Sequence, residues 1–267
     1  MDIAFPVLAA IAAWWLSTIV LIYRAGLPAP SFRWTFAGTS VAMLVGVWAV
    51  LASRHDPSTA GAYVAFLGAL AIWAWHEVSY LFGFVSGPRP APCPRECSGW
   101  ERFRYGIKAC LYHELAVVVT AGLIWAATWQ AENRVALGTF LILWLMRWSV
   151  KLNIFLGVRN FHAEFWPDHL RYLESFVRER PINALFPFSM LAAGTGLLLL
   201  GASAADAAAF SPRRTGALLL ATLLALATIE HLLLVLKIPD ERLWSLGLKS
   251  RRGRAAPTLG PKIEHRL

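Results

Sequence analysis

The chain has 267 residues, of which 57% are hydrophobic and only 15% charged, and its mean hydropathy is +0.52. A soluble domain carries about 25% charged residues, so this composition excludes an ordinary soluble enzyme or binding module. The net charge of +9 does not indicate a nucleic-acid partner, because the basic residues lie between apolar segments and in the tail. There they orient a membrane protein and attract anionic lipid. We therefore expect an integral membrane protein that contacts lipid and no nucleic acid.

Seven apolar segments have the ~20 residues that a helix needs to cross a bilayer. In chain order they are Ile3–Tyr23, Trp34–Ala52, Ala62–Phe84, Ile107–Trp129, Val135–Val158, Ala184–Ala204 and Gly216–Leu236. The sequence therefore predicts an all-α, polytopic membrane protein with one helical domain over residues 1–240. The basic segment 241–267 lacks apolar periodicity and is predicted to be a disordered tail.

Lysine and arginine are distributed unevenly between the two sides of these predicted helices. The connections on the N-terminal side carry four of them, whereas those on the opposite side, together with the tail, carry nineteen. Positive residues are retained in the cytoplasm. This asymmetry predicts a bacterial inner membrane protein with a periplasmic N-terminus and a cytoplasmic C-terminus.

Both long connections, at about residues 85–106 and 159–183, fall on the predicted cytoplasmic side. The first contains Cys93 and Cys97, which we expect to be free thiols, because three cysteines in all do not make a disulfide framework and no second pair completes a zinc site. The second becomes amphipathic after Pro167, which predicts a short interfacial helix that starts near this proline.

Adjacent histidine and glutamate residues occur in three of the predicted helices, each roughly 10 Å inside the cytoplasmic face at 1.5 Å per residue. These pairs are His76–Glu77, His113–Glu114 and Glu230–His231. The second connection adds His162, Glu164 and His169, and we expect it to form a lid over the mouth of a shared cavity. Five of the seven histidines would then lie in one layer.

Ionisable side chains are costly inside a bilayer, so such a layer is a candidate functional site. Imidazole and carboxylate together suit Fe or Zn, and the set is large enough for two metal ions. Axial ligation of heme or bacteriochlorophyll is a second alternative. In the third, the pairs only lock helices together, and Arg147 and Lys151 neutralise Glu77 and Glu114.

Several motifs between Trp75 and Ser189 resemble the PuhE family of anoxygenic phototrophic bacteria. They are WHE, GPR, YHEL, NIFLGVRNFHAEFWPDHLRYLESF and PINALFPFS. The resemblance implies an inner-membrane factor that assists assembly of bacteriochlorophyll-containing complexes, with reaction-centre or light-harvesting subunits as partners. Two rivals remain open: a metal-dependent, di-iron-like oxidoreductase or hydroxylase acting on a pigment or lipid precursor, and a scaffold without a cofactor.

Overall fold

The computed structural model of the chain describes residues 1–94, 97–161 and 167–236. Across these ranges it contains seven long helices, all long and apolar enough to cross a membrane. They are α1 (Ala4–Ala25), α2 (Phe32–Ser53), α3 (Thr59–Leu81), α4 (Gly99–Thr128), α5 (Val135–Leu156), α6 (Leu185–Ala205) and α7 (Pro212–Leu233). No β-strand occurs in the described ranges, where Val158 and Glu179 form an isolated bridge. The predicted all-α polytopic fold is confirmed.

Successive helices run in opposite directions, so the bundle has two ends. We call the end where α1 begins the N-terminal face. The other end, which carries both long connections, is the loop face. The predicted tail, residues 241–267, lies outside the described residues.

Helix α4 begins at Gly99, eight residues before the start predicted from hydropathy. The prediction of an irregular connection up to residue 106 was therefore wrong in its last part. Glu101 lies in the first turn, where its charge complements the helix dipole. Arg102 is buried and donates to the carbonyl oxygens of Phe155 at 2.7 Å and Phe176 at 3.3 Å. Hydropathy does not register a helical turn that is held by such a polar contact.

Helix α3 is the centre of the bundle, with contacts to α2, α4, α5 and α7. Its closest neighbour is α2, and small residues make the approach feasible. A Cβ atom at Gly46 would lie 2.6 Å from the carbonyl oxygen of Gly68, so a larger residue at position 46 would force the two helices apart.

The second long connection is folded against the loop face. Its 3₁₀ helix, Asp168–Phe176, starts directly after Pro167, where the sequence predicts the interfacial helix. The Asn183 amide donates to Gly157 O, while its side-chain oxygen accepts from the backbone of Leu185 and Phe186 and so caps α6. Residues 162–166, and with them His162 and Glu164, lie outside the described residues.

The cysteines differ from expectation. Cys93 and Cys97 are joined in a disulfide, and Cys110 on α4 is the free thiol. The spacing of the cysteines in the sequence does not show how far apart they lie in the fold. In the structure their Cα atoms are 6.2 Å apart, a separation that a disulfide can span.

Candidate functional site

The three histidine–glutamate pairs share one geometrical property. Neighbouring residues on a helix point about 100° apart, so the two members of a pair face different surroundings. His76, His113 and His231 are buried between helices, at 1%, 0% and 0% exposure. None of the three lines either of the two cavities described below, whereas the carboxylates of all three pairs do.

His76 and His113 meet at the interface of α3 and α4. The Nε2 atom of His76 lies 3.0 Å from the Thr120 hydroxyl. The ring of His113 packs edge-on to that of His76, with centroids 6.3 Å apart, and lies 4.6 Å from the ring of Tyr80. Neither ring nitrogen of His113 has a hydrogen-bond partner among the described residues. The two histidines thus act in helix packing.

His231 connects α7 to α5. Its Nδ1 lies 2.9 Å from the carbonyl oxygen of Ala227, which can only accept, so Nδ1 is the protonated nitrogen. Nε2 is then an acceptor and lies 2.9 Å from the Ser149 hydroxyl. Ser149 in turn contacts Ser189 of α6 at 2.9 Å. One histidine therefore ties three helices together.

The smaller cavity, of about 180 Å³, lies between α3, α4 and α5 at the loop face. Glu114 faces it and has a partner on each oxygen: Lys151 Nζ and Trp148 Nε1, both at 2.6 Å. The cavity is covered by apolar side chains of the 3₁₀ helix, among them Leu170 and Phe176. The 3₁₀ helix thus covers a carboxylate whose charge is neutralised, and it does so with apolar side chains and not with His169.

The larger cavity, of about 530 Å³, lies between α1, α2, α3, α5 and α7. Glu77 and Glu230 both face it, and Arg147 lines it as well as the smaller cavity. The Arg147 guanidinium lies 2.7 Å from Glu77. Among the described residues, the Glu230 carboxylate makes no hydrogen bond and no ion pair within 4.0 Å. Arg147 thus pairs with one of the two carboxylates, and Glu230 is left without an ion-pair partner among the described residues.

His169 lies away from these groups. Its ring is tilted against that of Phe32, with centroids 6.2 Å apart, and closely approaches Gly83. Partial burial lowers the pKa of His169, and a hydrogen bond to the Leu81 backbone and the charge of Asp168 oppose this shift. His169 lines neither cavity and holds the 3₁₀ helix against α2 and α3.

The candidate ligand set is described only in part, because His162 and Glu164 lie outside the described residues. In the described part of the chain, no group of three or more His, Cys, Asp or Glu residues is placed to hold a metal ion. The two charge pairs expected from the sequence are present: Arg147 pairs with Glu77, and Lys151 pairs with Glu114. Sequence reasoning missed Thr120, Ser149 and Trp148 as partners, since hydroxyl and indole groups are common in membrane helices and carry no distinctive spacing.

Comparison with known proteins assigns the chain to a family. Residues 1–255 match DUF3623, described as a protein of unknown function. A relative from Rhodobacter capsulatus, named as an uncharacterized 30.4 kDa protein in the puhA 5′ region, is 36% identical over 249 residues. The match covers 91% of this chain and 90% of the relative. No solved structure matches. The chain therefore belongs to the DUF3623 family, a PuhE-like family, which confirms the resemblance carried by its central motifs.

Proposed function

We propose that this protein assists assembly of bacteriochlorophyll-containing photosynthetic complexes in the bacterial inner membrane, with reaction-centre or light-harvesting subunits as its clients. The relative is named for its place in the 5′ region of puhA, a photosynthetic reaction-centre gene. Seven helices long and apolar enough to cross a membrane suit a protein that works in the same lipid phase as these complexes. The PuhE resemblance points in the same direction.

The observation that carries the proposal is that the buried ionisable groups are engaged in contacts between helices. Their histidines hold helices together through Thr120 and Ser149, and the carboxylate of Glu114 is neutralised by Lys151. A two-metal oxidoreductase instead needs histidine and carboxylate ligands directed at a common point. The donor geometry of the described residues therefore favours an assembly role over catalysis at a metal pair.

An assembly factor and a pigment-modifying enzyme predict different consequences of loss. Without an assembly factor, complexes decrease while the pigment precursors keep their normal spectrum. Without an enzyme, the unconverted precursor accumulates. Absorption spectra of membranes, together with pigment extracts from a deletion strain of a phototrophic host, separate the two outcomes.

A more specific form of this experiment uses single-residue variants instead of a deletion strain. Arg147→Met removes the only cation that Glu77 contacts in an ion pair in the described structure. We expect fewer assembled complexes per cell, with the variant still present in the membrane. Arg134→Gln, at an exposed position on the N-terminal face, is the matched control and should assemble complexes normally. Normal assembly in the Arg147→Met strain, or accumulation of a precursor, would refute the proposal.

The orientation is also part of the proposal: N-terminus in the periplasm, loop face in the cytoplasm. It rests on the distribution of four against nineteen basic residues. The Cys93–Cys97 disulfide argues the other way, because cytoplasmic disulfides are rare. Reporter fusions after residue 236 decide between them: a reporter active only in the periplasm would reverse the orientation.

A further inference from the structure

The larger cavity is lined by charged side chains at the loop face and mainly by apolar side chains at its opposite end. Arg24 lies one residue before the end of α1, Glu77 four before the end of α3, and Glu230 three before the end of α7. At 1.5 Å per residue these charges lie roughly 2–6 Å inside the loop-face ends of their helices. The opposite end of the cavity is lined mainly by apolar side chains, with the Ser17 and Thr18 hydroxyls bonded to the Trp14 carbonyl oxygen. It reaches Trp14, about 16 Å deeper than the end of α1. That depth is close to half of the ~30 Å hydrocarbon core.

The polar end has one basic and one acidic side chain that make no ion pair with the described residues, Arg24 and Glu230. Arg24 donates from Nε to the Thr35 hydroxyl at 2.8 Å and makes no ion pair with any described residue. Glu230 makes neither a hydrogen bond nor an ion pair in the same ranges, because Arg147 is directed at Glu77. Thr39 adds a further hydroxyl to this end of the cavity. An unpaired ionised side chain within a spanning helix is costly, so the two side chains are suited to a partner that brings its own charges.

We propose that this cavity binds a zwitterionic amphiphile, specifically an aminophospholipid of the surrounding membrane such as phosphatidylethanolamine. Its phosphate pairs with Arg24, its ammonium group donates to Glu230, and an acyl chain lies in the apolar end beside Leu70 and Leu223. The volume of about 530 Å³ lies within the ~300–1,000 Å³ typical of ligand pockets. The inference is independent of the assembly role.

The depth and the charges select this ligand class over others. An anionic lipid would satisfy Arg24 but would place its headgroup near two carboxylates, Glu77 and Glu230. A fully apolar molecule would leave both Arg24 and Glu230 without partners. Only a headgroup that carries both a cation and an anion can pair with Glu230 and Arg24 at once. The tail of such a lipid would point toward the bilayer midplane.

The test is a lipid competition on the purified full-length protein. Phosphatidylethanolamine and phosphatidylglycerol with identical acyl chains are offered in equal amounts, and bound lipid is counted by native mass spectrometry. We expect one tightly retained phosphatidylethanolamine per chain. Glu230→Gln and Arg24→Gln should each weaken its retention at least about tenfold, the effect of losing ~1.4 kcal/mol of binding free energy.

Two exposed charges on the N-terminal face supply matched controls: Glu132→Gln and Arg213→Gln should retain the lipid as the wild type does. A stability measurement separates binding from folding, because Glu230→Gln removes an unpaired carboxylate and should raise the melting temperature of lipid-free protein. Equal retention of the two lipids would overturn the proposal. A preference that survives in Glu230→Gln and Arg24→Gln, or a co-purified amphiphile without an amine, would overturn it too.

Discussion

The two cavities contain the same kinds of charged group but pair them differently. In the smaller cavity, Glu114 has Lys151 on one oxygen and Trp148 on the other, so its charge is neutralised. In the larger cavity, Arg147 pairs with Glu77, and Glu230 has no ion-pair partner among the described residues. The smaller cavity is also covered by the 3₁₀ helix, which Arg102 holds through Phe176.

The difference indicates that the charged groups of the smaller cavity stabilise the fold, whereas those of the larger cavity are suited to binding a ligand. A buried carboxylate with a full set of partners contributes to folding, and removing one partner leaves an uncompensated charge. A carboxylate without a partner in a spanning helix is costly to the fold and is available to a ligand. Substitutions in the two cavities should therefore have unequal effects on stability.

The largest effect is expected for Lys151→Met. This change leaves the Glu114 carboxylate, which is 9% exposed, without its cation. Breaking a buried ion pair in this way costs about 3–5 kcal/mol. Thermal or denaturant unfolding in detergent measures the loss. The double variant Lys151→Met/Glu114→Gln should recover most of it, and a double variant as unstable as the single one would contradict the assignment.

Arg102→Met should have the next largest effect. It removes two donated hydrogen bonds, to Phe155 O and Phe176 O, and leaves both carbonyl oxygens without that donor. We expect a loss of about 2 kcal/mol. Hydrogen exchange should also become faster across the 3₁₀ helix, while helices around the larger cavity keep their protection. Arg104→Met, on the exposed side of α4, is the matched control.

Glu77→Gln should cost about 1 kcal/mol or less. The Arg147 side chain is 40% exposed, and Glu230 remains nearby as an alternative partner. By contrast, Glu114→Gln leaves Lys151 without its carboxylate partner and should lower the free energy of unfolding clearly more. Unfolding of the two variants under identical conditions compares the cavities directly; equal costs would remove the distinction between them.

The smallest effect concerns pH at the 3₁₀ helix. Burial places the pKa of folded His169 below its usual value of 6.5, so the unfolded state binds this proton more readily. The stabilising contact is therefore complete above pH 6.5 and weakens as the pH falls toward the lowered pKa. Hydrogen exchange of residues 168–176 at pH 7 and pH 5 measures the change. His169→Gln should abolish this component, and a pH effect that persists in the variant would assign it elsewhere.

Much of the architecture followed from the sequence. Runs of apolar residues near the bilayer thickness located all seven helices, and most boundaries agree within three residues. Pro167 marked the start of the interfacial helix. Helix α4 was the exception, since its first two turns are polar and are stabilised by the distant residues Phe155 and Phe176.

Counting residues from the predicted helix ends placed the three pairs roughly 10 Å deep. In the structure, Glu77 and Glu230 lie four and three residues before the ends of their helices, whereas Glu114 lies fifteen residues after the start of α4. The positions of Arg147 and Lys151 in the sequence also predicted that they neutralise Glu77 and Glu114. In the structure, Arg147 pairs with Glu77 and Lys151 with Glu114. Counting residues could not tell which member of each His–Glu pair faces a cavity.

Only the tertiary structure decided that, because helix rotation is set by packing across the whole bundle. Rotation by one residue, about 100°, exchanges the histidine for the carboxylate. The packing of α3 against α4, and of α7 against α5, turned His76, His113 and His231 into the interfaces. The same rotation left Glu77, Glu114 and Glu230 at the cavities. The sequence determined that a histidine and a carboxylate stand side by side on three helices, and the folded bundle determined which of the two lines a cavity.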